Sequence, residues 1–180
     1  MAIARTRQAV LIVVVLLVAG LAGVAYTSYQ RDIHQARQRV STGSQVVQTP
    51  CGPIEVAVAG DGPAVLVVHG AGGGVDQGLE IAQALVAGGF RVIAPSRFGY
   101  LRTPLPADAS ASAQADAYAC LLDALGVRRV AVFGASAGAP SSMQFVLRHP
   151  QRATALVLLV PATYVPQPGY AATQRPTGPG

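Results

Sequence analysis

The residues with the clearest chemical potential form the pattern Gly-x-Ser-x-Gly, which runs from Gly134 through Ser136 to Gly138. Residues 129–133, which are apolar after Arg129, precede the pattern and predict a strand, and residues 137–148 follow it with helical spacing. A serine at such a sharp strand-to-helix turn projects above the sheet, and flanking glycines avoid clashes in the strained backbone. The pattern therefore predicts a nucleophilic Ser136, and a glycine-flanked turn without chemistry is the simpler alternative.

A second candidate element is the glycine-rich loop at residues 69–74, which directly follows an apolar run. Its backbone N–H groups can point at an oxyanion without obstruction from side chains. Glycine loops before helices also bind phosphate, but this loop lacks the Lys and Ser/Thr of a P-loop. In addition, Val75 stands where the dinucleotide-binding pattern needs glycine. The loop therefore predicts an oxyanion site and no cofactor, with a generic tight turn as the alternative.

The elements that must position these loops alternate between short apolar runs and segments of helical spacing. Such alternation predicts βαβ units, which build an α/β fold with a mainly parallel sheet and helices on both faces. The predicted strands are residues 45–49, 54–59, 64–68, 90–94, 129–133 and 155–160. The predicted helices are residues 76–87, a segment capped by Ser110 or Ser112 that ends at Leu125, and residues 137–148.

The order of the motifs resembles the α/β-hydrolase superfamily over residues 45–161. The motifs are His-Gly-x-Gly at 69–72, Arg-Phe-Gly-Tyr at 97–100, the Gly-x-Ser-x-Gly turn and Arg-His-Pro at 148–150. The resemblance implies the α/β-hydrolase fold, with Ser136 as nucleophile and the N–H groups of Ala71 and Ala137 as the oxyanion hole. It also implies that four glycines shape the two loops: Gly70, Gly72, Gly134 and Gly138.

The same resemblance bears on the substrate and on the rest of the catalytic machinery. Dehalogenases and epoxide hydrolases of the superfamily carry Asp at the turn, so serine implies a small-molecule ester or a related acyl substrate. In this family an Asp or Glu and then a His follow the nucleophile. After Ser136 the chain has no Asp or Glu, and its only histidine is His149, which we interpret as structural.

The missing partners affect the reactivity that we expect of Ser136. A serine without an adjacent base is a weak nucleophile at neutral pH, and His69 belongs to the glycine-rich loop rather than to a base position. We therefore expect a truncated hydrolase, which carries the N-terminal half of the catalytic domain. The alternative is a membrane-anchored binding module that is catalytically inactive.

The N-terminal segment carries an uninterrupted apolar run at residues 9–25. A helix of this length rises about 26 Å, close to the ~30 Å hydrocarbon core of a bilayer, and Tyr26 and Tyr29 suit the interface. We predict a single-pass membrane anchor that contacts the bilayer through residues 9–26. The alternatives are a signal peptide, whose cleavage releases a secreted body, and a buried core helix.

The placement of the basic residues bears on partners and orientation. The net charge is +5, and five of the 13 arginines lie in the first 50 residues, on both sides of the apolar run. The remainder of the chain shows no basic cluster interleaved with aromatic residues, so the sequence excludes nucleic-acid binding. Because arginines flank both ends of the run, charge alone does not fix its orientation; we expect the body outside the cytoplasm.

These observations divide the chain into four segments. They are an anchor or signal peptide at residues 1–29, a juxtamembrane stalk at 30–43, a hydrolase-like unit at 44–165 and a Pro/Gly-rich tail at 166–180. We expect the two cysteines, Cys51 and Cys120, to be independent free thiols, with a disulfide between them as the alternative. Neither has a His or a second Cys at metal-ligand spacing, so the sequence predicts no metal site.

Overall fold

The computed structural model describes residues 2–163, so the predicted tail at residues 166–180 lies outside the described residues. The chain divides into two units, Met1–Gly43 and Ser44–Gly180. The first unit is one helix, α1 (Ala2–Thr42), which continues through almost all of the predicted stalk. Within it, Leu11–Gln35 is long and apolar enough to cross a membrane, and none of this stretch is buried.

The second unit is built on a six-stranded sheet. Its strands are β1 (Gln45–Val47), β2 (Ile54–Ala59), β3 (Ala64–Val68), β4 (Arg91–Pro95), β5 (Val130–Ala135) and β6 (Ala153–Leu159). The spatial order is β1-β2-β4-β3-β5-β6; β3 to β6 run parallel, whereas β1 and β2 are antiparallel to their neighbours. The predicted α/β fold with a mainly parallel sheet is confirmed.

Four helices connect the parallel strands. They are α2 (Val75–Ile81), α3 (Gln83–Ala87), α4 (Ala111–Ala124) and α5 (Ala139–Arg148). Ser110 is the residue that caps α4, because its hydroxyl accepts a hydrogen bond from Ala113 N at 3.1 Å. The prediction of one helix over residues 76–87 is wrong, since the backbone leaves helical geometry at Ala82 (φ −95°, ψ 7°). Apolar spacing could not reveal this break, because the two helices share the same apolar phase.

The helices cover both faces of the sheet, as the alternation of elements predicts. On one face, Leu66 and Val68 of β3 pack with buried side chains of α4 and α5, among them Tyr118 and Phe145. On the other face, Val65 and Val67 of β3 pack with Ala82 and the partly buried apolar side chains of α2 and α3. Because β3 is buried on both faces, its sequence is a continuous apolar run rather than an alternating one.

The last strand is the least buried part of the sheet. β6 begins two residues earlier than predicted, pairs with β5 on one side, and forms an edge of the sheet within residues 44–163. Its apolar side chains remain partly exposed, including Leu156, Val157 and Leu159. An apolar edge of this kind is a ready template for pairing with another strand.

The two cysteines are joined by a disulfide, so the expectation of two free thiols is wrong. Cys51 lies in the turn between β1 and β2, and Cys120 lies in α4, with 6.1 Å between their Cα atoms. The two positions are 69 residues apart in the chain. The pairing depends on how the turn packs over α4, and sequence spacing contains no information about that contact.

A buried carboxylate, Glu55 in β2, connects several segments at the end of the sheet where the parallel strands have their C-termini. It accepts hydrogen bonds from the hydroxyls of Ser44 (2.8 Å) and Ser96 (2.9 Å). It also accepts bonds from the backbone N (3.0 Å) and the side-chain Nε (2.7 Å) of Arg102. The hydroxyl of Ser96 in turn accepts a bond from Val75 N at 3.2 Å, at the start of α2. Glu55 therefore connects the glycine-rich loop with the loop after β4.

The charge state of Glu55 follows from these contacts. Burial raises the pKa of its carboxyl, but the hydrogen bonds from Arg102, Ser44 and Ser96 outweigh burial and hold the pKa below its usual value. Because the pKa is lower in the folded chain than in the unfolded chain, the ionised group stabilises the fold above the unfolded pKa. That stabilisation is lost as the pH falls through the folded pKa.

We expect Glu55→Gln to lower the free energy of unfolding at pH 7 by about 2 kcal/mol, because charged hydrogen bonds to a buried acceptor are lost. The difference from wild type should shrink below pH ~4.5, where the wild-type carboxyl also becomes protonated. Urea unfolding of the detergent-solubilised chain at pH 7 and pH 3.5 measures both values. Asp116→Asn, which breaks an exposed ion pair with Arg148, is the control and should cost less than about 1 kcal/mol. An equal loss for Glu55→Gln at both pH values would contradict this account.

Candidate active site

The candidate nucleophile sits at the junction between β5 and α5. Ser136 follows the last residue of β5, has a positive φ of 46°, and begins a 3-10 turn that leads into α5. Its side chain is exposed. A non-glycine residue at positive φ is strained, and such strain is concentrated at functional sites. The chain thus turns sharply at Ser136 and presents its hydroxyl at the end of the sheet.

The two glycines of the pattern are required by close approach. A Cβ at Gly134 would lie 2.8 Å from Ser142 Cβ, and a Cβ at Gly138 would lie 2.7 Å from Val68 O, a backbone atom of β3. Ser142, which the sequence marks only as a helix residue, fills the space that Gly134 leaves open, and its hydroxyl donates to Gly138 O at 2.9 Å. The turn therefore packs directly against both β3 and α5.

The glycine-rich loop lies beside the candidate nucleophile. A Cβ at Gly70 would lie 3.2 Å from Ser136 Cβ, so the two loops are in contact. Ala71 and Gly72 are exposed. Among residues 44–163, the N–H group of Ala71 has no hydrogen-bond acceptor. The fold brings Ser136, Ala137 and this unpaired donor to the same end of the sheet.

Gln77 of α2 contacts the glycine-rich loop at this site, and no motif in the sequence predicts this role. Its side-chain Oε1 accepts a hydrogen bond from Gly70 N at 2.9 Å. A Cβ at Gly72 would lie 2.8 Å from Gln77 Nε2. In the sequence, Gln77 is only a polar residue in a predicted amphipathic helix. The glycines at 72 and 73 are the signal that could have indicated it, because they leave space for its side chain.

His69 is not a general base. Its ring is buried; Nε2 accepts a hydrogen bond from Arg97 N at 2.9 Å, and Nδ1 lies 2.7 Å from Gly70 O. These partners assign the proton to Nδ1, so neither nitrogen has a free lone pair for a proton from Ser136. Burial, helped by the charge of Arg97, lowers the pKa of His69 to about 4, and the ring is neutral at pH 7.

His149 lies away from the site as well. It follows the last residue of α5, whereas Ser136 precedes the first, and a helix of ten residues is about 15 Å long. Its Nε2 is 2.9 Å from Asp116 Oδ1, and the same carboxylate binds Arg148. Between residues 44 and 163, then, the structure provides no histidine that could act as base for Ser136.

Two further groups border the site. Nη1 of Arg97 donates a hydrogen bond to Gly70 O at 3.4 Å, and the guanidinium lies over the ring of Tyr100. Beyond β6, Ala162 N donates to Ser136 O at 3.0 Å, so the chain crosses the turn as it leaves the sheet.

Across the described residues there is no group of three His, Cys, Asp or Glu side chains that could hold a metal ion.

Comparison with known proteins identifies relatives of this arrangement. Residues 63–176 match the family described as alpha/beta hydrolase fold. An alpha/beta hydrolase fold protein from Nakamurella multipartita is 41% identical in sequence, with a TM-score of 0.65, over 72% of this chain and 46% of that one. An epoxide hydrolase from an endophytic Streptomyces is 32% identical, with a TM-score of 0.59, over 65% of this chain and 37% of that one.

A curated relative also carries a specific name. The 2-hydroxy-6-oxononadienedioate/2-hydroxy-6-oxononatrienedioate hydrolase of Paraburkholderia xenovorans is 36% identical over 58% of this chain and 39% of its own length. The chain thus spans less than half the length of each of these three relatives. The family match covers more than half of the chain. The chain belongs to the α/β-hydrolase family.

Proposed function

We propose that Ser136 is the nucleophile of a hydrolase that acts on a carboxylic ester or a related small acyl compound. The observation that carries this proposal is the exposed Ser136 at positive φ, in contact with a loop whose Ala71 N–H group is unpaired among residues 44–163. In the reaction, Ser136 Oγ attacks the carbonyl carbon and loses its proton to a base. The resulting oxyanion accepts hydrogen bonds from the N–H groups of Ala71 and Ala137. The bond from the carbonyl carbon to the alcohol oxygen then breaks, the base returns the proton to the leaving alcohol, and water hydrolyses the acyl ester of Ser136 to release the acid.

The identity of the nucleophile supports acyl chemistry over epoxide opening. The relatives include an epoxide hydrolase, but the superfamily's epoxide hydrolases carry Asp at the turn, and this chain has Ser136. A serine ester formed from an acyl group is hydrolysed by attack at its carbonyl carbon, whereas an ether formed by opening an epoxide would be inert to water. A relative named as a hydrolase of a 6-oxo compound is consistent with attack at a carbonyl carbon.

Ser136 needs a general base, and residues 44–163 do not supply one. His69 and His149 are bonded elsewhere, and no Asp or Glu follows Ser136 in the chain. We propose that an acid and a histidine from outside residues 44–163 complete the site. In that case the present chain, a truncated hydrolase by this proposal, holds a serine of low reactivity, since removal of a triad base costs most of the rate.

We expect a fluorophosphonate probe to label the protein produced from its native gene, and Ser136→Ala to abolish the labelling. Ser112→Ala in α4, a serine whose hydroxyl lies 3.0 Å from that of Ser110, is the control and should label like wild type. The 180-residue chain alone should label far more slowly, because no base withdraws the hydroxyl proton. Gel fluorescence measures all four proteins. Labelling that persists in Ser136→Ala would refute the assignment.

A binding module without catalysis is the second candidate. The observation in its favour is that, among residues 44–163, both histidines are bonded to groups other than Ser136. In such a protein the turn and the loop are fold elements, and the surface that they form only binds a ligand. The labelling experiment separates the two functions. A protein from the native gene that fails to label at Ser136 favours the binding module.

We also propose that α1 anchors the protein in a membrane through residues 9–26, with the body outside the cytoplasm. The apolar stretch Leu11–Gln35 supports the anchor, because it is 25 residues long and unburied. The disulfide between Cys51 and Cys120 supports the orientation, because disulfides persist in oxidising compartments and are rare in the cytosol. A cleaved signal peptide followed by secretion is the alternative.

We expect the protein to stay in the membrane pellet after carbonate washing and to require detergent for release. A thiol-reactive polyethylene glycol maleimide should leave the denatured protein unmodified before reduction and add two groups after it, because both cysteines are paired. Cys51→Ser should add one group without reduction and is the control. A soluble body whose N-terminus maps near Tyr26 would show a signal peptide, and wild-type cysteines that react without reduction would contradict the extracytoplasmic placement.

A further inference from the structure

The orientation of the Gln77 carboxamide is fixed by its surroundings. Its Oε1 accepts the hydrogen bond from Gly70 N at 2.9 Å, a bond that only the oxygen end of the amide can make. The amide nitrogen must therefore lie on the other side of the group, against Gly72. Because the Gly70 N–H group is a donor, it identifies the amide atom that faces it as Oε1 and the other as Nε2.

The glycine-rich loop leaves room for this side chain. A Cβ at Gly72 would lie 2.8 Å from Gln77 Nε2, and a Cβ at Gly73 would lie 2.8 Å from Gln77 Cβ. A Cβ at Gly70 would meet Ser136 Cβ at 3.2 Å and Gln77 Oε1 at 3.5 Å. Gln77 and the candidate nucleophile therefore border the same point of the loop from two sides.

The donor end of Gln77 is available to a ligand. Within the part of the chain that the structure describes, Nε2 has no hydrogen-bond acceptor, and solvent reaches it. The side chain as a whole is partly buried, because its stem and oxygen pack on the loop. An amide held by one end and unpaired at the other is a preorganised donor, since little conformational freedom remains to be lost when a ligand binds.

We propose that Gln77 Nε2 donates a hydrogen bond to an oxygen of the acyl group bound beside Ser136. This inference rests on the proposed function and adds a side-chain donor to the two backbone N–H groups of the oxyanion site. The ligands that it serves are small acyl compounds with a carbonyl oxygen. A glutamine that only caps the loop would need its oxygen alone, so the nitrogen distinguishes the two roles.

The experiment uses butyramide, an uncharged acyl compound, and the detergent-solubilised chain labelled with ¹⁵N. Butyramide should shift the side-chain NH₂ signals of Gln77, and Gln77→Ala should weaken its binding at least about tenfold. Gln77→Glu keeps an acceptor for Gly70 N but has no donor, so it should weaken binding as strongly as Gln77→Ala. Gln83→Glu, the same change at an exposed position of α3, should leave the affinity unchanged.

Each other result overturns the proposal. Wild-type affinity in Gln77→Glu would show that the oxygen alone matters and that the residue only positions the loop. Wild-type affinity in Gln77→Ala, or Gln77 signals that do not move up to the solubility limit of butyramide, would show that no such bond forms. Failure here is distinguishable from failure of the proposed function, because the labelling of Ser136 in the protein from its native gene is measured independently.

Discussion

The site rests on the close approach of the turn after β5 to the backbone of β3. At Gly138 the two segments are so near that a Cβ would lie 2.7 Å from Val68 O, and only glycine fits there. This contact holds Ser136 at a φ of 46° and places it against Gly70. A larger residue at position 138 would push the turn away from β3, and the alignment of the hydroxyl with the neighbouring loop would be lost.

A set of buried polar contacts between β2, the loop after β4 and α2 supports that arrangement. Glu55 is bonded through Ser96 to the start of α2, and Gln77 of α2 is bonded to Gly70, so β2 is linked to the loop beside the nucleophile. Buried polar groups of this kind are costly unless they are paired, and their pairing fixes one arrangement of the loops. The same polar layer holds His69 neutral and bonded on both nitrogens, which removes it from proton transfer.

Local patterns in the sequence predict the α/β sheet and the position of the turn, because burial on both faces makes apolar runs and because close approach demands glycine. They do not predict the break at Ala82, which depends on backbone geometry within one apolar phase. They also miss the pairing of Cys51 with Cys120 and the roles of Glu55 and Gln77, because each depends on contacts between distant segments. Such polar contacts leave no periodic trace.

Nucleophilic catalysis by Ser136 requires a covalent bond between its Oγ and the acyl group of the substrate. Peptide mass mapping of the protein from its native gene, quenched in acid soon after mixing with p-nitrophenyl butyrate, detects such a bond. We expect a butyryl group on the peptide that contains Ser136, and none on that peptide in Ser136→Ala. Release of p-nitrophenol with the butyryl group on another residue, or undiminished release by Ser136→Ala, would contradict the assignment of Ser136 as the nucleophile.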